Sequence, residues 1–100
     1  MSVDSKQTPD EKQLTITIKG RFDFSTHQDF RAAYEKKALA SRYVVDLKET
    51  NYLDSSALGM LLLLRDHAGG ERADVKLVNC NPDVNKILAI SNFSKLFKIG

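Results

Sequence analysis

The sequence predicts a single α/β domain in which helices pack on a small, mostly parallel β-sheet. Two observations carry this prediction. Segments with strand-like and helix-like hydrophobic periods alternate along the chain, and its 100 residues are enough for one hydrophobic core. Parallel strands joined through helices connect by right-handed crossovers, so the alternation favours a parallel sheet. We place a polar N-terminal arm at residues 1–12, which leaves room for a short strand, and the domain itself at residues 13–100.

The first strand and helix follow the arm. Apolar and polar residues alternate over Leu14–Ile18, which predicts a strand with one buried face that ends at Gly20. In Ser25–Gln28 a serine is followed three residues later by a glutamine, as in a capping box. This pattern predicts the start of a helix that runs to about Ala38.

A second strand and helix occupy the middle of the chain. Tyr43–Leu47 is apolar at all but one position, which is typical of a central strand covered on both faces. We assign residues 48–54 to a loop. A helix then begins with Ser55 or Ser56 as its cap and runs to about His67, where two glycines stop it.

The last third of the chain repeats the pattern. Val75–Val78 predicts a third strand, and Asn81 and Pro82 fit the N-cap and first turn of a third helix. An apolar tail closes the chain, with Phe93, Leu96, Phe97 and Ile99.

The composition excludes several classes of function. Because 15 basic and 13 acidic residues give a net charge of +2, nothing in the charge points to nucleic acid. The longest apolar run, Met60–Leu64, is too short to cross a bilayer, and the N-terminus lacks the apolar core of a signal peptide. Cys80 is the only cysteine, which fits a reducing compartment. We therefore expect a cytoplasmic protein without direct membrane insertion.

The sequence offers no convincing catalytic or metal-binding constellation, so we expect neither an enzyme nor a bound cofactor or metal. His27 and His67 have no carboxylate or cysteine at ligand spacing. Cys80 is interpreted first as a small buried hydrophobe. A hydrolase using Ser55 would need a histidine base and a Gly-x-Ser-x-Gly elbow, which the sequence lacks.

Three parts of the sequence resemble STAS domains, the family named for sulfate transporters and anti-sigma factor antagonists. The signature strand and helix start match Val44–Leu47 and Leu53–Gly59, the latter with the letters LDSSALG. Gly20–Asp23 resembles the turn after the first long strand of the family. Leu88–Ile99 resembles its closing helix, loop and terminal strand. The resemblance holds in order and spacing over residues 13–99.

The resemblance implies the function of an anti-sigma factor antagonist. In that group the unphosphorylated protein binds an anti-sigma factor and releases its target, and phosphorylation of the serine directly after the aspartate blocks binding. That serine is Ser55 here, with Ser56 as the fallback. The resemblance also implies a partner-binding surface made of Asp23, Ser25, Thr26, Asp54, Ser55, Ser56, Ala57 and Met60.

Several of these residues also have an interpretation that does not depend on the resemblance. Ser55 and Ser56 taken alone are helix caps. Met60 belongs to an apolar run that a crossover helix would bury in the core. Ala57 stands where the family usually has glycine, and alanine favours the helix by roughly 1 kcal/mol.

The implied partners are proteins. They are an anti-sigma factor or a serine kinase, including one with a histidine-kinase-like ATPase fold, and a serine phosphatase that resets the switch. The alternative is a STAS domain that senses a small ligand or serves as a subunit of a membrane-associated transport assembly. The sequence leaves the choice between these functions open.

Overall fold

A six-stranded mixed sheet organises the chain in the computed structural model, which describes residues 2–100. The strands are β1 Ser2–Gln7, β2 Gln13–Phe22, β3 Arg42–Asp46, β4 Thr50–Leu53, β5 Val75–Val78 and β6 Lys98–Ile99. The α-helices are α1 His27–Glu35, α2 Ser55–Ala68 and α3 Pro82–Ile90.

The strand order places all three helices on one face of the sheet. The order is β1-β2-β3-β5-β6, with β4 pairing separately to the far end of β2. Only β1 runs antiparallel to its neighbour, and the other pairs are parallel, which confirms the predicted α/β class. Because the order proceeds in one direction from β2 to β6, right-handed crossovers put α1, α2 and α3 on the same side.

The core lies between that face and the helices. The alternation predicted for the first strand is present, since Leu14, Ile16 and Ile18 are fully buried. Each helix contributes a buried stripe, and these stripes comprise Phe30 and Tyr34 of α1, Ala57, Met60, Leu61 and Leu64 of α2, and Val84 and Leu88 of α3. Burial of these side chains is the main favourable contribution to folding.

The opposite face of the sheet is open, which corrects the expectation that Tyr43–Leu47 is covered on both sides. Tyr43, Val45 and Leu47 are buried, whereas Val44 between them is only half-buried. Its neighbour on β5, Lys76, is exposed. The strand is continuous in hydrophobicity because Val44 lies on the open face, and hydrophobicity alone cannot show which face a helix covers.

β2 does not end at Gly20 as predicted but bends there and continues to Phe22. Gly20 has φ +87°, a left-handed conformation that costs glycine little, and the register with β4 shifts between Gly20 and Arg21. The extension pairs with Thr50–Leu53, so these residues form a strand and not the predicted loop. The bend therefore creates a short two-stranded edge beyond the main sheet.

The boundaries of several strands and helices also differ from the predicted ones. Residues 2–7, placed in the polar arm, form a strand paired with β2 from Ser2 opposite Lys19 to Gln7 opposite Leu14. Backbone hydrogen bonds hold this edge strand, so it needs little apolar alternation. α1 ends at Glu35 rather than near Ala38.

The third strand and third helix are confirmed as predicted. β5 covers Val75–Val78, and α3 begins at Pro82 with Asn81 as its cap. The Asn81 side-chain oxygen accepts a hydrogen bond of 2.8 Å from the Val84 backbone N–H. Among the helices of residues 2–100, none has the length and apolar content needed to cross a bilayer.

Candidate functional site

Two aspartates meet at the carboxyl ends of β2 and β4. Phe22 and Leu53 are the last paired residues of these strands, and Asp23 and Asp54 follow them directly. The Asp54 backbone N–H donates to the Phe22 carbonyl at 3.4 Å, which continues the pairing by one step. The two aspartate positions named from the family resemblance are therefore neighbours in space.

Asp54 rather than a serine caps α2, which corrects the sequence prediction. One Asp54 carboxylate oxygen accepts a hydrogen bond of 3.0 Å from the Ala57 backbone N–H. Ser55 is then the first residue of the helix and is exposed, and Ser56 beside it is half-buried. Because the aspartate supplies the cap, the Ser55 hydroxyl is not engaged in it and points from a helix N-terminus that favours negative charge.

Asp23 caps a second, shorter turn, and this corrects the predicted capping box. The box is formed by Asp23 and Thr26 of a short 3-10 helix at Phe24–Thr26, not by Ser25 and Gln28. Asp23 accepts from the Ser25 backbone N–H at 3.0 Å, and its backbone N–H donates to the Thr26 hydroxyl at 3.2 Å. α1 continues from this turn at His27.

The Asp23 carboxylate is held in its charged form. The Ser25 hydroxyl donates to it at 2.5 Å, and the Arg21 guanidinium donates at 3.1 Å. These contacts, the serine first, hold the pKa of Asp23 below its usual value. Arg21 also lies 4.1 Å over the ring of Tyr52, its partner on β4. At neutral pH an ionised Asp23, paired with Arg21, therefore stands beside the start of α2.

The candidate partner residues divide into an exposed and a buried group. Ser25 and Ser55 are exposed, and Asp23, Asp54 and Ser56 are half-buried. By contrast Thr26, Ala57 and Met60 are buried, with exposures of 0%, 0% and 3%. Their side chains cannot contact a partner directly, and this corrects their assignment to the binding surface. Thr26 holds the Asp23 turn, and the other two pack α2 onto the core.

Sequence reasoning missed four exposed residues on the Asp23 turn and on α2, which are Phe24, Gly59, Leu62 and Leu63. Phe24 is 75% exposed at the Asp23 turn, and Leu62 and Leu63 are 38% and 50% exposed on α2. At 100° per residue, Ser55, Gly59 and Leu62 share one helix face, with Leu63 at its margin. A Cβ added at Gly59 would meet nothing within 4 Å, so the core does not require glycine there.

We name this surface the docking face: Ser25 and Phe24 on the turn, with Ser55, Gly59, Leu62 and Leu63 on α2. Two features of the sequence indicate this surface. Phe24 lies outside the hydrophobic period of α1, and Leu62 and Leu63 fall outside the single stripe of α2 that the core buries. Exposed apolar side chains around a polar centre are typical of a protein-binding surface.

Other chemistry receives little support. Within residues 2–100, no three His, Cys, Asp or Glu side chains converge as metal ligands would. Cys80 is half-buried, and burial raises the pKa of its thiol, which lowers its reactivity at neutral pH. His67 is half-buried against the rings of Tyr34 and Tyr43, at centroid distances of 4.8 and 6.3 Å.

The capping role of Asp54 gives a stability prediction. Asp54→Ala removes the acceptor for the Ala57 N–H and is expected to lower the free energy of unfolding by about 1 kcal/mol, within a range of roughly 0.5–2 kcal/mol. Asp54→Asn keeps an oxygen at the same place and is expected to retain most of that stability. Urea denaturation of both variants and the wild type checks this, and equal losses in the two variants would contradict the cap.

Comparison with known proteins identifies the family of the chain and agrees with its fold. The family model described as "Mlab, STAS domain" matches residues 5–98. A STAS-domain containing protein of Pseudomonas aeruginosa is 64% identical over 101 residues, covering 100% of both chains.

Solved structures share the fold at low sequence identity. The anti-sigma factor antagonist SpoIIAA in its unphosphorylated form has a TM-score of 0.80 at 17% identity, covering 99% of this chain and 88% of that one. Bacillus SpoIIAA in the phosphorylated form has a TM-score of 0.71 at 14% identity, covering 99% and 91%. An anti-sigma factor antagonist from Mycobacterium paratuberculosis has a TM-score of 0.76 at 19% identity, covering 98% and 85%. With a family match over nearly its whole length, the chain belongs to the STAS domain family.

Proposed function

We propose that this protein is an anti-sigma factor antagonist whose docking face binds an anti-sigma factor when Ser55 is unmodified. Phosphorylation of Ser55 blocks the complex. The protein acts as a binding module and as the substrate of a kinase, without catalysis of its own. Its place of action is the cytoplasm, where a serine kinase and a serine phosphatase set the two states.

One observation carries this proposal: Ser55 is an exposed hydroxyl at the N-terminus of a 14-residue helix that also exposes Leu62 and Leu63. A kinase reaches such a hydroxyl without unfolding the chain. The phosphate adds about 1.5–2 negative charges, which the free N–H groups and dipole of the helix tolerate. Modification therefore leaves the fold intact and changes the surface.

The electrostatics around Ser55 explain why the modified form loses its partner. Asp23 and Asp54 already place two carboxylates beside the start of α2. A partner that covers this region must remove water from all the charges it buries, and a dianionic phosphate makes that cost several kcal/mol larger. The exposed apolar groups Leu62, Leu63 and Phe24 supply attraction that acts only when the partner can approach closely.

The comparisons support the proposal by analogy. SpoIIAA, which shares this fold, is known in an unphosphorylated and a phosphorylated form and is an anti-sigma factor antagonist. In this chain the Asp54-Ser55 pair stands at the position expected for the phosphate acceptor of that group.

A direct experiment tests the proposal. The protein is recovered from cells with an affinity tag, its phosphopeptides are mapped by mass spectrometry, and its co-purifying proteins are identified. We expect phosphate on Ser55, with Ser56 as the only other site, and an anti-sigma factor bound to the unphosphorylated fraction. Phosphate confined to other residues, or equal recovery of the partner with both forms, would refute the switch.

The same experiment separates the second candidate function. A small-ligand sensor or a subunit of a membrane-associated transport assembly would use the docking face without a phosphate cycle. The description of the matching family model as "Mlab, STAS domain" is the reason to test this second candidate. Recovery of integral membrane proteins in detergent extracts, with Ser55 unmodified under all growth conditions, would favour it over an anti-sigma factor.

A further inference from the structure

The open face of the sheet carries a concavity far from the docking face. Its volume is about 360 Å³, and most of its lining lies where β2, β3, β5 and β6 begin, although Val78 at the end of β5 also takes part. Ser55 follows the carboxyl end of β4, so the two features occupy opposite ends of the parallel strands. Its polar and charged lining consists of Gln13, Arg42, Asp74, Lys76 and Lys98.

Three cations converge on this concavity. Lys76 and Lys98 are direct partners in the register of β5 and β6, and Arg42 lies two residues before Val44, the β3 partner of Lys76. Asp74 is the only carboxylate in the lining, and it pairs with Lys98 at 3.2 Å. Within residues 2–100, no carboxylate lies within 4 Å of the charged groups of Arg42 or Lys76. The lining therefore has a net charge of +2.

This arrangement of charges destabilises the folded protein when no ligand is bound. Like charges directly opposite each other in adjacent strands are destabilising. Lys76 and Lys98 point away from the core, so neither the packing of the fold nor the docking face requires their charges. The floor between the cations is apolar, with Val44 and Val78 half-buried. Asp74 pairs with Lys98, and the Arg42 charge also acts on Asp10, but the lining keeps an excess of positive charge. A positive rim around an apolar floor is complementary to an organic anion.

We propose that this concavity binds a small phosphorylated organic molecule. Arg42, Lys76 and Lys98 hold the phosphate through charge-assisted hydrogen bonds, since guanidinium and ammonium groups are strong donors to phosphate oxygens. Val44 and Val78 contact the apolar body of the ligand. The site is independent of the proposed switch at Ser55, and binding there leaves the docking face uncovered.

Phenyl phosphate and inorganic phosphate are suitable probes, because they carry the same charged group with and without an apolar body. We expect phenyl phosphate to bind more tightly and to shift amide resonances of the β3, β5 and β6 residues around the concavity in a ¹⁵N-NMR titration. Equal affinities would refute the apolar floor as a contact, and shifts confined to the Ser55 end would refute the site.

Lys76→Gln provides the decisive variant. It is expected to weaken phenyl phosphate binding at least about tenfold, and to raise the melting temperature of the free protein by about 1–5 °C because the repulsion from Lys98 is removed. Lys76→Arg keeps the charge and is expected to retain binding. Lys86→Gln, on α3 across the sheet, removes the same charge elsewhere and is expected to leave binding unchanged. Equal loss in both glutamine variants would mean that only overall charge matters and would overturn the proposal.

Discussion

Ser55→Asp is expected to weaken the complex with the proposed anti-sigma factor partner at least about tenfold, or 1.4 kcal/mol, while the fold keeps its stability. Aspartate adds about one negative charge at the first position of α2, where the helix dipole stabilises it by a few tenths of a kcal/mol. The existing cap at Asp54 is untouched, so no hydrogen bond is lost. The charge acts instead in the interface, where it must be desolvated near Asp23 and Asp54.

Two measurements on the same sample decide this prediction: a thermal melt and a binding titration against the partner. Ser55→Ala removes the phosphate acceptor without adding charge, and it is expected to bind the partner even under conditions in which the wild type is phosphorylated. Ser41→Asp adds the same charge at an exposed serine before β3 and is expected to bind like the wild type. A large drop in the melting temperature of Ser55→Asp would mean that the site acts through folding and not through desolvation in the interface.

The elements that the sequence placed well are those whose signals are local. β5 is a run of alternating exposed and buried residues between polar segments, and α3 begins with an asparagine cap followed by proline. Both signals depend only on residues within the element itself. Which side of the sheet is open, by contrast, depends on the order of the strands in the sheet. The sequence of a single strand does not reveal that order.

β4 could not be predicted because its stability comes from a distant strand. In Thr50–Leu53 only the two end residues are buried, so the segment has no alternation of apolar and polar residues. It forms because β2 bends at Gly20 and continues alongside it. Thr50 fixes this arrangement, since its buried hydroxyl donates to the Ile18 carbonyl at 2.8 Å.

The candidate site is a prediction from the resemblance, and the local geometry around it required the three-dimensional arrangement. Aspartate and serine are comparably good helix caps. The sequence Asp54-Ser55-Ser56 therefore does not reveal which side chain turns toward the free N–H groups. The structure assigns that role to Asp54, and this leaves the exposed Ser55 available for modification. For the same reason the sequence pattern predicted Ser25 as the cap, whereas Asp23 caps that turn in the structure.

The apolar run of α2 yields the largest stability effect and the clearest separation of core from docking face. Leu61 is fully buried, whereas Leu63, two residues later, is 50% exposed. Leu61→Ala is expected to lower the free energy of unfolding by about 2–5 kcal/mol, because it removes buried methyl groups and leaves a cavity under the helix. Leu63→Ala is expected to change that free energy by less than about 0.5 kcal/mol, as is usual for surface positions.

Partner binding should show the opposite order. Leu63→Ala removes apolar area from the docking face and is expected to weaken the complex about fivefold, or roughly 1 kcal/mol. Leu61→Ala, measured at a temperature where it is fully folded, is expected to bind within about twofold of the wild type, because its side chain never reaches the partner. Urea denaturation and binding titrations of the pair provide the comparison. If Leu63→Ala binds like the wild type, the partner does not contact this part of α2, and the docking face must be confined to Ser55 and the Asp23 turn.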